Sequence, residues 1–180
     1  MNRILLLLFL IYGGITVSQT LPLAELLKYP YYPYEQVGDS LIKRGWEIKK
    51  VEFVSDSNYV RRVWSKSRPK DNVKTYVIYY EFTKDTSENY IIYQFSEKQS
   101  FQDYKSDLKK KGFKIMTKKS RLKMKNTDII TYNDKEDIFY NDKKNTLVIV
   151  EDVFLFGLNC FLIYTYKSSS AIARYILKHH

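Results

Sequence analysis

Hydrophobic residues recur with helical spacing in two short segments that lie 67 positions apart. The spacing is i, i+3 and i+7 in both segments, at Tyr34, Val37 and Leu41 and again at Phe101, Tyr104 and Leu108. This spacing places the three apolar side chains on one face of a helix. A glycine follows each stripe, Gly45 or Gly112, where a left-handed residue would end the helix. The pattern predicts two short amphipathic helices.

Runs rich in Tyr, Val, Ile and Phe follow each glycine and predict β-strands. After Gly45 the runs cover 46–54, 58–64, 73–83 and 89–96. After Gly112 they cover 113–124, 128–133, 136–141, 145–153 and 157–167. Polar clusters at 65–72, 84–89 and 141–145 separate neighbouring runs and predict hairpin turns. Each helix is therefore expected to lead into about four antiparallel strands.

The two segments also resemble each other residue by residue, which indicates an internal repeat. Identical residues occur at Leu41/Leu108, Lys43/Lys110, Gly45/Gly112 and Ile48/Ile115, all 67 positions apart. Residues 75–78 resemble 146–149, and residues 90–95 resemble 161–166, both at an offset of 71. One four-residue insertion would reconcile the two offsets. Chance similarity among Tyr- and Lys-rich strands is the alternative to a tandem duplication.

These patterns predict an α+β fold built from a duplicated helix-plus-four-strand antiparallel unit. Unit 1 is residues 34–97 and unit 2 is residues 98–167, and together they are expected to form one compact domain. A short helix cannot bury its apolar stripe alone, so the helices should pack on one face of the sheet or sheets. A short helix and a Tyr/Pro segment (19–33) precede the units, and a short C-terminal helix or tail (168–180) follows them.

The first 18 residues have the features of a secretory signal peptide. Arg3 supplies the positive charge, residues 4–11 are uninterruptedly apolar, and Thr16 and Ser18 fit the small-residue positions of a cleavage site. Cleavage is expected before Gln19. The apolar stretch is shorter than the roughly 20 residues that a transmembrane helix needs, so no transmembrane segment is expected after cleavage. The protein is predicted to be secreted or periplasmic, with surface association also open.

Charge is concentrated in one stretch of the chain. The 180 residues carry a formal net charge of +10, yet residues 105–125 contain ten Lys and Arg against Asp107 alone. Within this stretch basic residues alternate with Ser120, Leu122 and Met124, as on a strand with one charged face. We call the alternating cations the basic ridge and take them as candidate anion-binding residues: Lys119, Arg121, Lys123 and Lys125. Lysines that protect a sheet edge from aggregation are the competing interpretation.

A second candidate surface comes from the 17 tyrosines. Large residues occupy both faces of the strand predicted at 73–83, so one face should cover a helix and the other is available to a partner. Tyrosine suits protein interfaces because its ring buries area while its hydroxyl stays hydrogen-bonded. The candidate tyrosines are Tyr79, Tyr93 and Tyr164. Packing between the two units would account for most of these rings without any partner.

Enzymatic signatures are scarce in this sequence. The two histidines are the last two residues, and Cys160 is the single cysteine, which disfavours His-dependent catalysis, multi-thiolate zinc sites and an internal disulfide framework. Carboxylate pairs could be drawn from Glu81, Glu88, Glu97, Asp137, Glu151 or Asp152, although solvated strand ends explain these acids as well. No catalytic, cofactor-binding or metal-ligating residue is predicted.

The sequence favours an exported, non-catalytic binding protein of the bacterial cell envelope. Its partner would be a protein or an anionic envelope component, bound through the Tyr-rich sheet face or the basic ridge. Nucleic acid is disfavoured because the basic ridge has no interleaved aromatic residues. A carboxylate-based enzyme acting on glycans and a small-ligand carrier with an apolar pocket are the alternatives. Oligomeric state is not predicted.

Overall fold

In the residues that the structure describes, the fold is α+β, with one antiparallel sheet of eight strands and four α-helices. The computed structural model describes residues 20–67, 74–116, 135–155 and 158–179. The proposed signal peptide, the basic ridge and the predicted strand at 128–133 lie outside these ranges. The predicted α+β class and the antiparallel sheet are confirmed.

The helices and strands follow the predicted order along the chain. The helices are α1 (Leu23–Leu26), α2 (Tyr34–Lys43), α3 (Lys98–Lys110) and α4 (Ala171–His179). The strands are β1 (Glu47–Val54), β2 (Tyr59–Ser67), β3 (Lys74–Phe82), β4 (Tyr90–Phe95), β5 (Lys114–Met116), β6 (Lys135–Asn141), β7 (Thr146–Leu155) and β8 (Leu158–Lys167).

The strand order within the sheet is β1-β2-β3-β4-β8-β7-β6-β5. Each unit therefore forms an up-and-down meander of four strands, and the last strands of the two meanders pair with each other. In this central junction Tyr90 lies opposite Tyr166 and Phe95 lies opposite Phe161. The first strands of the two units, β1 and β5, are left as the two outer edges of the sheet.

Both unit helices end on a glycine with the same backbone geometry. Gly45 and Gly112 have φ values of 78° and 79°, in the left-handed region that residues with a Cβ avoid. The next residue donates its N–H to a carbonyl five positions back, Trp46 to Leu41 at 3.1 Å and Phe113 to Leu108 at 3.0 Å. This 6→1 bond is the mark of a Schellman motif, and it turns each chain directly into the first strand of its unit.

The helix face of the sheet is the face that packs against α1, α2 and α3. Its main buried strand residues are Trp64, Val77, Tyr79, Ile91, Tyr93, Phe95, Phe139, Val148, Val150, Phe161 and Ile163. Leu41 and Leu108, from the predicted helix stripes, are fully buried against this face. The stripe positions of both helices thus point into one shared hydrophobic core.

The segment before α2 is part of this core. Leu21, Leu26 and Tyr29 are at most 1% exposed. The Leu21 N–H donates to the Tyr93 hydroxyl at 3.4 Å, and the Tyr104 hydroxyl donates to the Leu21 carbonyl oxygen. These bonds connect the segment to β4 of unit 1 and to α3 of unit 2. Residues 20–33, which were interpreted as a flank, therefore contact both units.

The opposite side of the sheet, which we call the second face, packs with α4. Its cluster combines Ala173 and Ile176 of α4 with strand residues of both units. Leu147 and Ile149 of β7 are fully buried, whereas Ile78 and Phe82 of β3 are only partly buried. A row of aromatic rings crosses this face, with Tyr80 stacked on Tyr90 at 4.4 Å and Tyr90 on Tyr166 at 5.0 Å between centroids. The second face is thus covered more fully in unit 2 than in unit 1.

The sheet corrects one part of the predicted repeat alignment. An offset of 71 matches Tyr93 with Tyr164, but Tyr93 lies on the helix face and Tyr164 lies on the second face. Neighbouring residues in a strand point to opposite faces, so these strands can correspond only after a further shift of one residue. Strands β3 and β7, by contrast, need no further shift. At the same offset of 71, Tyr79 aligns with Val150, and both lie on the helix face.

Candidate functional site

The basic ridge predicted from the sequence lies outside the described residues, since Lys119, Arg121, Lys123 and Lys125 fall between residues 116 and 135. Their role stays a prediction. The described part of the same basic stretch includes the last turn of α3 and the residue after it, Lys111. Lys111 lines a groove, which is the site built up below.

The three candidate tyrosines belong to the core of the sheet and present no binding surface. Tyr79 and Tyr93 are fully buried on the helix face, and Tyr164 is 6% exposed on the second face. The Tyr79 hydroxyl donates to the Tyr32 carbonyl oxygen at 2.9 Å and accepts from the Asn89 amide at 3.0 Å. Rings with internal hydrogen bonds of this kind hold the core together, and a partner cannot reach them.

The groove lies where the N-terminal segment meets unit 2. It has a volume of about 420 Å³, in the range of small-ligand sites. Its lining residues come from α1 and the aromatic segment on one side and from two turns of unit 2 on the other. They are Ala24, Leu27, Lys28, Tyr31, Tyr32, Lys111, Lys144 and Thr146. We call this site the lysine–tyrosine groove.

Tyr31 fixes one wall of the groove against the turn between β6 and β7. Its hydroxyl lies 2.5 Å from the Asn145 carbonyl oxygen, 3.2 Å from the Lys144 carbonyl oxygen and 3.1 Å from Thr146 Oγ1. Burial raises the pKa of this hydroxyl, so it stays neutral at physiological pH. The Lys167 ammonium lies 5.6 Å from the centroid of the Tyr31 ring. The ring is therefore held by a polar anchor and a nearby cation.

Two lysines of unit 2 are held side by side by Asn141. Its amide nitrogen donates to the carbonyl oxygens of Lys111 at 3.3 Å and Gly112 at 3.1 Å, while its oxygen accepts from the backbone N–H of Lys144 at 3.1 Å. The Lys144 ammonium lies 3.4 Å from the Lys111 carbonyl oxygen and 5.6 Å from the Phe113 ring centroid. One buried amide thus joins the end of α3 to the β6–β7 turn.

Electrostatically the lysine–tyrosine groove is one-sided. Lys28, Lys111 and Lys144 come from three separate elements, and no carboxylate is among the described lining residues. Unit 1 differs at the corresponding place, because Arg44, at the C-terminal end of α2, forms an ion pair with Glu25 of α1. Three lysines in the lining of one groove raise the local positive potential and favour an anion.

The components of the groove are separate signals in the sequence. The Tyr/Pro segment and the basic end of α3 are both recognisable, but Lys28 and Lys144 belong to no pattern that marks a site. Lys144 belongs to a turn predicted only from its polar composition. No local signal connects Tyr31 with residues that lie more than 110 positions further along the chain, so this site could not be assembled from the sequence.

The acids considered for a catalytic pair have structural partners. Glu81 forms an ion pair with Arg62, and Asp137 forms one with Lys105. Glu88 accepts the Ala171 N–H at 2.8 Å, which caps α4. Glu151 lies opposite Glu136 on neighbouring strands and, together with burial, contributes to the raised pKa of Tyr164. Glu81, Glu88 and Asp137 therefore hold helices and strands in place.

Within the described ranges, no group of three or more His, Cys, Asp or Glu side chains could hold a metal ion. The helices in those ranges are all too short or too polar to cross a bilayer. The chain matches no protein-family model, and it shows no significant similarity to a curated protein or to a solved structure.

Proposed function

We propose that this protein is an exported, non-catalytic binding protein that holds an anionic ligand in the lysine–tyrosine groove. The observation that carries the proposal is that Lys28, Lys111 and Lys144 all line one groove, which has no carboxylate among its described lining residues. Each lysine offers three hydrogen-bond donors and a positive charge. Because the lysines come from three separate elements, they can contact a bound ligand from more than one side.

The ligand that fits best is an anionic sugar or a similar small group with one apolar face. Ala24, Leu27 and the rings of Tyr31 and Tyr32 supply apolar surface, while the lysines supply positive charge. A phosphate, sulfate or carboxylate on a sugar would satisfy both requirements. The volume of about 420 Å³ suits one such residue of a longer polymer.

Such ligands occur on cell-envelope polymers and lipid headgroups, which agrees with the proposed signal peptide at residues 1–18. The protein would then act outside the cytoplasm of a bacterium. The basic ridge continues the chain of unit 2 after β5, and Lys119, Arg121, Lys123 and Lys125 would add positive charge for a longer anionic polymer. The proposal takes the groove as the specific site and the basic ridge as an auxiliary one.

We also propose that the two units arose by tandem duplication, with α2 and α3 packing on the same face in equivalent ways. The identical Schellman endings at Gly45 and Gly112 support this origin, as does the mirrored strand order about the central β4–β8 pair. The groove would then be an acquisition of unit 2 alone, made after the duplication.

Calorimetric titration can test the groove directly with two anionic probes. A heparin hexasaccharide represents an acidic glycan, and vesicles of phosphatidylglycerol in phosphatidylcholine represent lipid phosphate. The double variant Lys111→Gln/Lys144→Gln should weaken binding of the preferred probe about tenfold, because each exposed ion pair contributes up to about 1 kcal/mol. The probe that binds more tightly identifies the source of the anion.

The matched control removes two charges elsewhere, in Lys98→Gln/Lys178→Gln, from exposed positions in α3 and α4. It should change affinity less than the groove variant does. Equal losses in the two variants would mean that only net charge matters, and the groove would no longer be the site. A larger loss in Arg121→Ser/Lys123→Ser/Lys125→Ser would transfer the specific role to the basic ridge.

A further inference from the structure

The edge strand β1 exposes an apolar row on the helix face of the sheet. Ile48, Val51 and Phe53 are 51%, 56% and 65% exposed, although large apolar side chains at a strand edge normally have cover. Ile42, in the last turn of α2, is also exposed. The row therefore runs along the outer side of unit 1, on the opposite edge of the sheet from β5.

Charged residues commonly keep an exposed edge from pairing with another strand, but those of β1 are all held in ion pairs. Lys49 forms an ion pair with Glu47 at 2.5 Å, and Glu52 forms ion pairs with Lys50 and with Arg61 of β2. The strand carries two lysines and two glutamates, so its formal charge is zero. A bulge between Ile48 and Lys50 interrupts the register, and the strand is regular from Lys50 to its end.

We propose that β1 pairs with β1 of a second copy of this chain, antiparallel across a two-fold axis at Val51. This register places Val51 opposite Val51 of the partner subunit. On the second face, Lys50 then lies opposite Glu52 of the partner subunit, and the same contact is repeated across the axis. A two-fold interface requires this kind of self-complementary pattern.

The apolar row gains cover in the same arrangement. Phe53 of each copy lies beside the bulge of the other copy, next to Ile48, on the face where both residues are exposed in the single chain. The outward N–H and C=O groups of β1 become paired, since a strand at an edge uses only half of its backbone hydrogen bonds. The two sheets merge into one continuous sheet.

The other edge of the sheet offers no comparable surface in the described residues. The described part of strand β5 is Lys114–Met116, and Ile115 is its one strongly exposed apolar side chain. The interface would be small because it involves a single strand from each copy, so a weak, concentration-dependent dimer is expected. The pairing is independent of the lysine–tyrosine groove, which is built by the N-terminal segment and unit 2.

Light scattering on the purified full chain across a concentration series tests the dimer. The wild type should shift from monomer to dimer as its concentration rises towards the millimolar range. Val51→Lys puts two ammonium groups opposite each other and should weaken dimerisation at least tenfold. Ile115→Lys adds the same charge at the other edge and should leave dimerisation unchanged. A wild-type chain that stays monomeric throughout would overturn the proposal.

Disulfide trapping tests the register independently of affinity. Val51→Cys places two thiols opposite each other, within the Cα separation that a disulfide accepts, whereas the native Cys160 is buried. Under mild oxidation this variant should form covalent dimers much faster than Ile115→Cys. Circular dichroism of each variant verifies that it has folded. Equal cross-linking rates for the two folded variants would exclude the proposed pairing.

Discussion

In both units a cation lies against an aromatic ring in the first turns of the helix. The cation comes from the sheet in unit 1 and from the helix itself in unit 2. In unit 1 the Arg62 guanidinium lies 3.6 Å from the Tyr34 ring centroid, and Arg62 belongs to strand β2. In unit 2 the Lys105 ammonium lies 5.3 Å from the Phe101 ring centroid, and Lys105 belongs to helix α3. The carboxylate partners differ accordingly, Glu81 for Arg62 and Asp137 for Lys105.

The two helix–sheet contacts share three features and differ in one. Both units keep an aromatic ring at the start of the helix, a cation over it and a carboxylate beside the cation. The cation lies in the sheet in one unit and in the helix in the other. The geometry of the contact can therefore be retained while the surface charge of each helix changes, and α3 becomes more basic than α2.

The same divergence is visible at the helix ends and at the sheet edges. Arg44 at the end of α2 is neutralised by Glu25, while Lys111 at the end of α3 opens into the lysine–tyrosine groove. Strand β1 is neutral and carries an exposed apolar row on one side, whereas the described part of β5 has Ile115 as its one strongly exposed apolar side chain. Unit 1 thus provides the surface proposed for self-association, and unit 2 provides the surface proposed for anions.

Truncation of the equivalent core leucines should give the largest effects. Leu41 and Leu108 are fully buried, so Leu41→Ala and Leu108→Ala should each lower the free energy of unfolding by about 2–5 kcal/mol. Because both units share one sheet and one core, urea denaturation followed by circular dichroism should show a single transition for both variants.

Ile42→Ala serves as the control, since Ile42 lies in α2 next to Leu41 and is 57% exposed. Its effect should remain below about 0.5 kcal/mol. Two separate transitions in either leucine variant would show that the units unfold independently, contrary to the shared core.

Removing the cation from each of these two ion pairs should lower the free energy of unfolding by different amounts. The Arg62 side chain is 11% exposed and the Lys105 side chain is 25% exposed. Arg62→Met leaves Glu81 largely buried without its partner and should cost about 2–3 kcal/mol, while Lys105→Met should cost about 1 kcal/mol or less. Chemical denaturation of the two variants provides both values.

Double-mutant cycles with Glu81→Gln and Asp137→Asn isolate the two pair energies. A coupling energy in the Lys105–Asp137 pair as large as that in the Arg62–Glu81 pair would contradict the proposed difference.

Alkaline pH should distinguish Tyr79 of unit 1 from Val150, which occupies the aligned position in unit 2. Burial, with a contribution from the Glu81 carboxylate, raises the pKa of Tyr79 to about 12. Between pH 10 and 12 the unfolded chain releases this proton while the folded chain retains it, so the free energy of unfolding falls as pH rises. The stability advantage of the wild type over Tyr79→Phe should therefore shrink across this interval.

At neutral pH the wild type should be more stable than Tyr79→Phe by about 1 kcal/mol, because the Tyr79 hydroxyl both donates and accepts a hydrogen bond. Val150→Ala removes no titratable group, and its stability deficit should be the same at pH 8 and pH 11. Thermal unfolding at a series of pH values measures both differences. A pH-independent advantage over Tyr79→Phe would show that Tyr79 titrates normally in the folded protein.

The smallest effect is expected from Glu25→Gln, which makes the end of α2 resemble the end of α3. Loss of the ion pair with Arg44 is a surface change and should cost less than about 1 kcal/mol of stability. The unpaired Arg44 should then strengthen binding of the heparin probe about twofold, measured by the same titration. Weaker binding would mean that Glu25 positions the groove rather than merely neutralising Arg44.

Local signals in the sequence predicted the elements of each unit well. The stripe at Tyr34, Val37 and Leu41 identified α2, and Gly45 identified its end, because helix periodicity and left-handed endings are local properties. The turn at 84–89 was equally readable, and a short 3-10 helix occupies Thr86–Glu88 within it. Alternation of apolar residues located the strands to within a few positions.

The faces of the sheet and the site between segments were not predictable in this way. Strand β3 has large residues on both sides, and only the position of the helices determines that Tyr79 is inside. The offset of 71 is the same for both strand pairs in the sequence, yet a shift of one residue reverses which side chains face the core. The groove depends on a contact between Tyr31 and Asn145, which are 114 positions apart in the sequence.

The attachment of the N-terminal segment has a consequence for the order of folding. Leu21 bonds to Tyr93 and Tyr104, and Tyr31 bonds to the turn at Lys144–Thr146. The turn at Lys144–Thr146 forms only after most of unit 2 has been synthesised, and closing so long a loop is entropically slow. The residues of this segment leave the ribosome before both units, and we expect them to be among the last to reach their native positions.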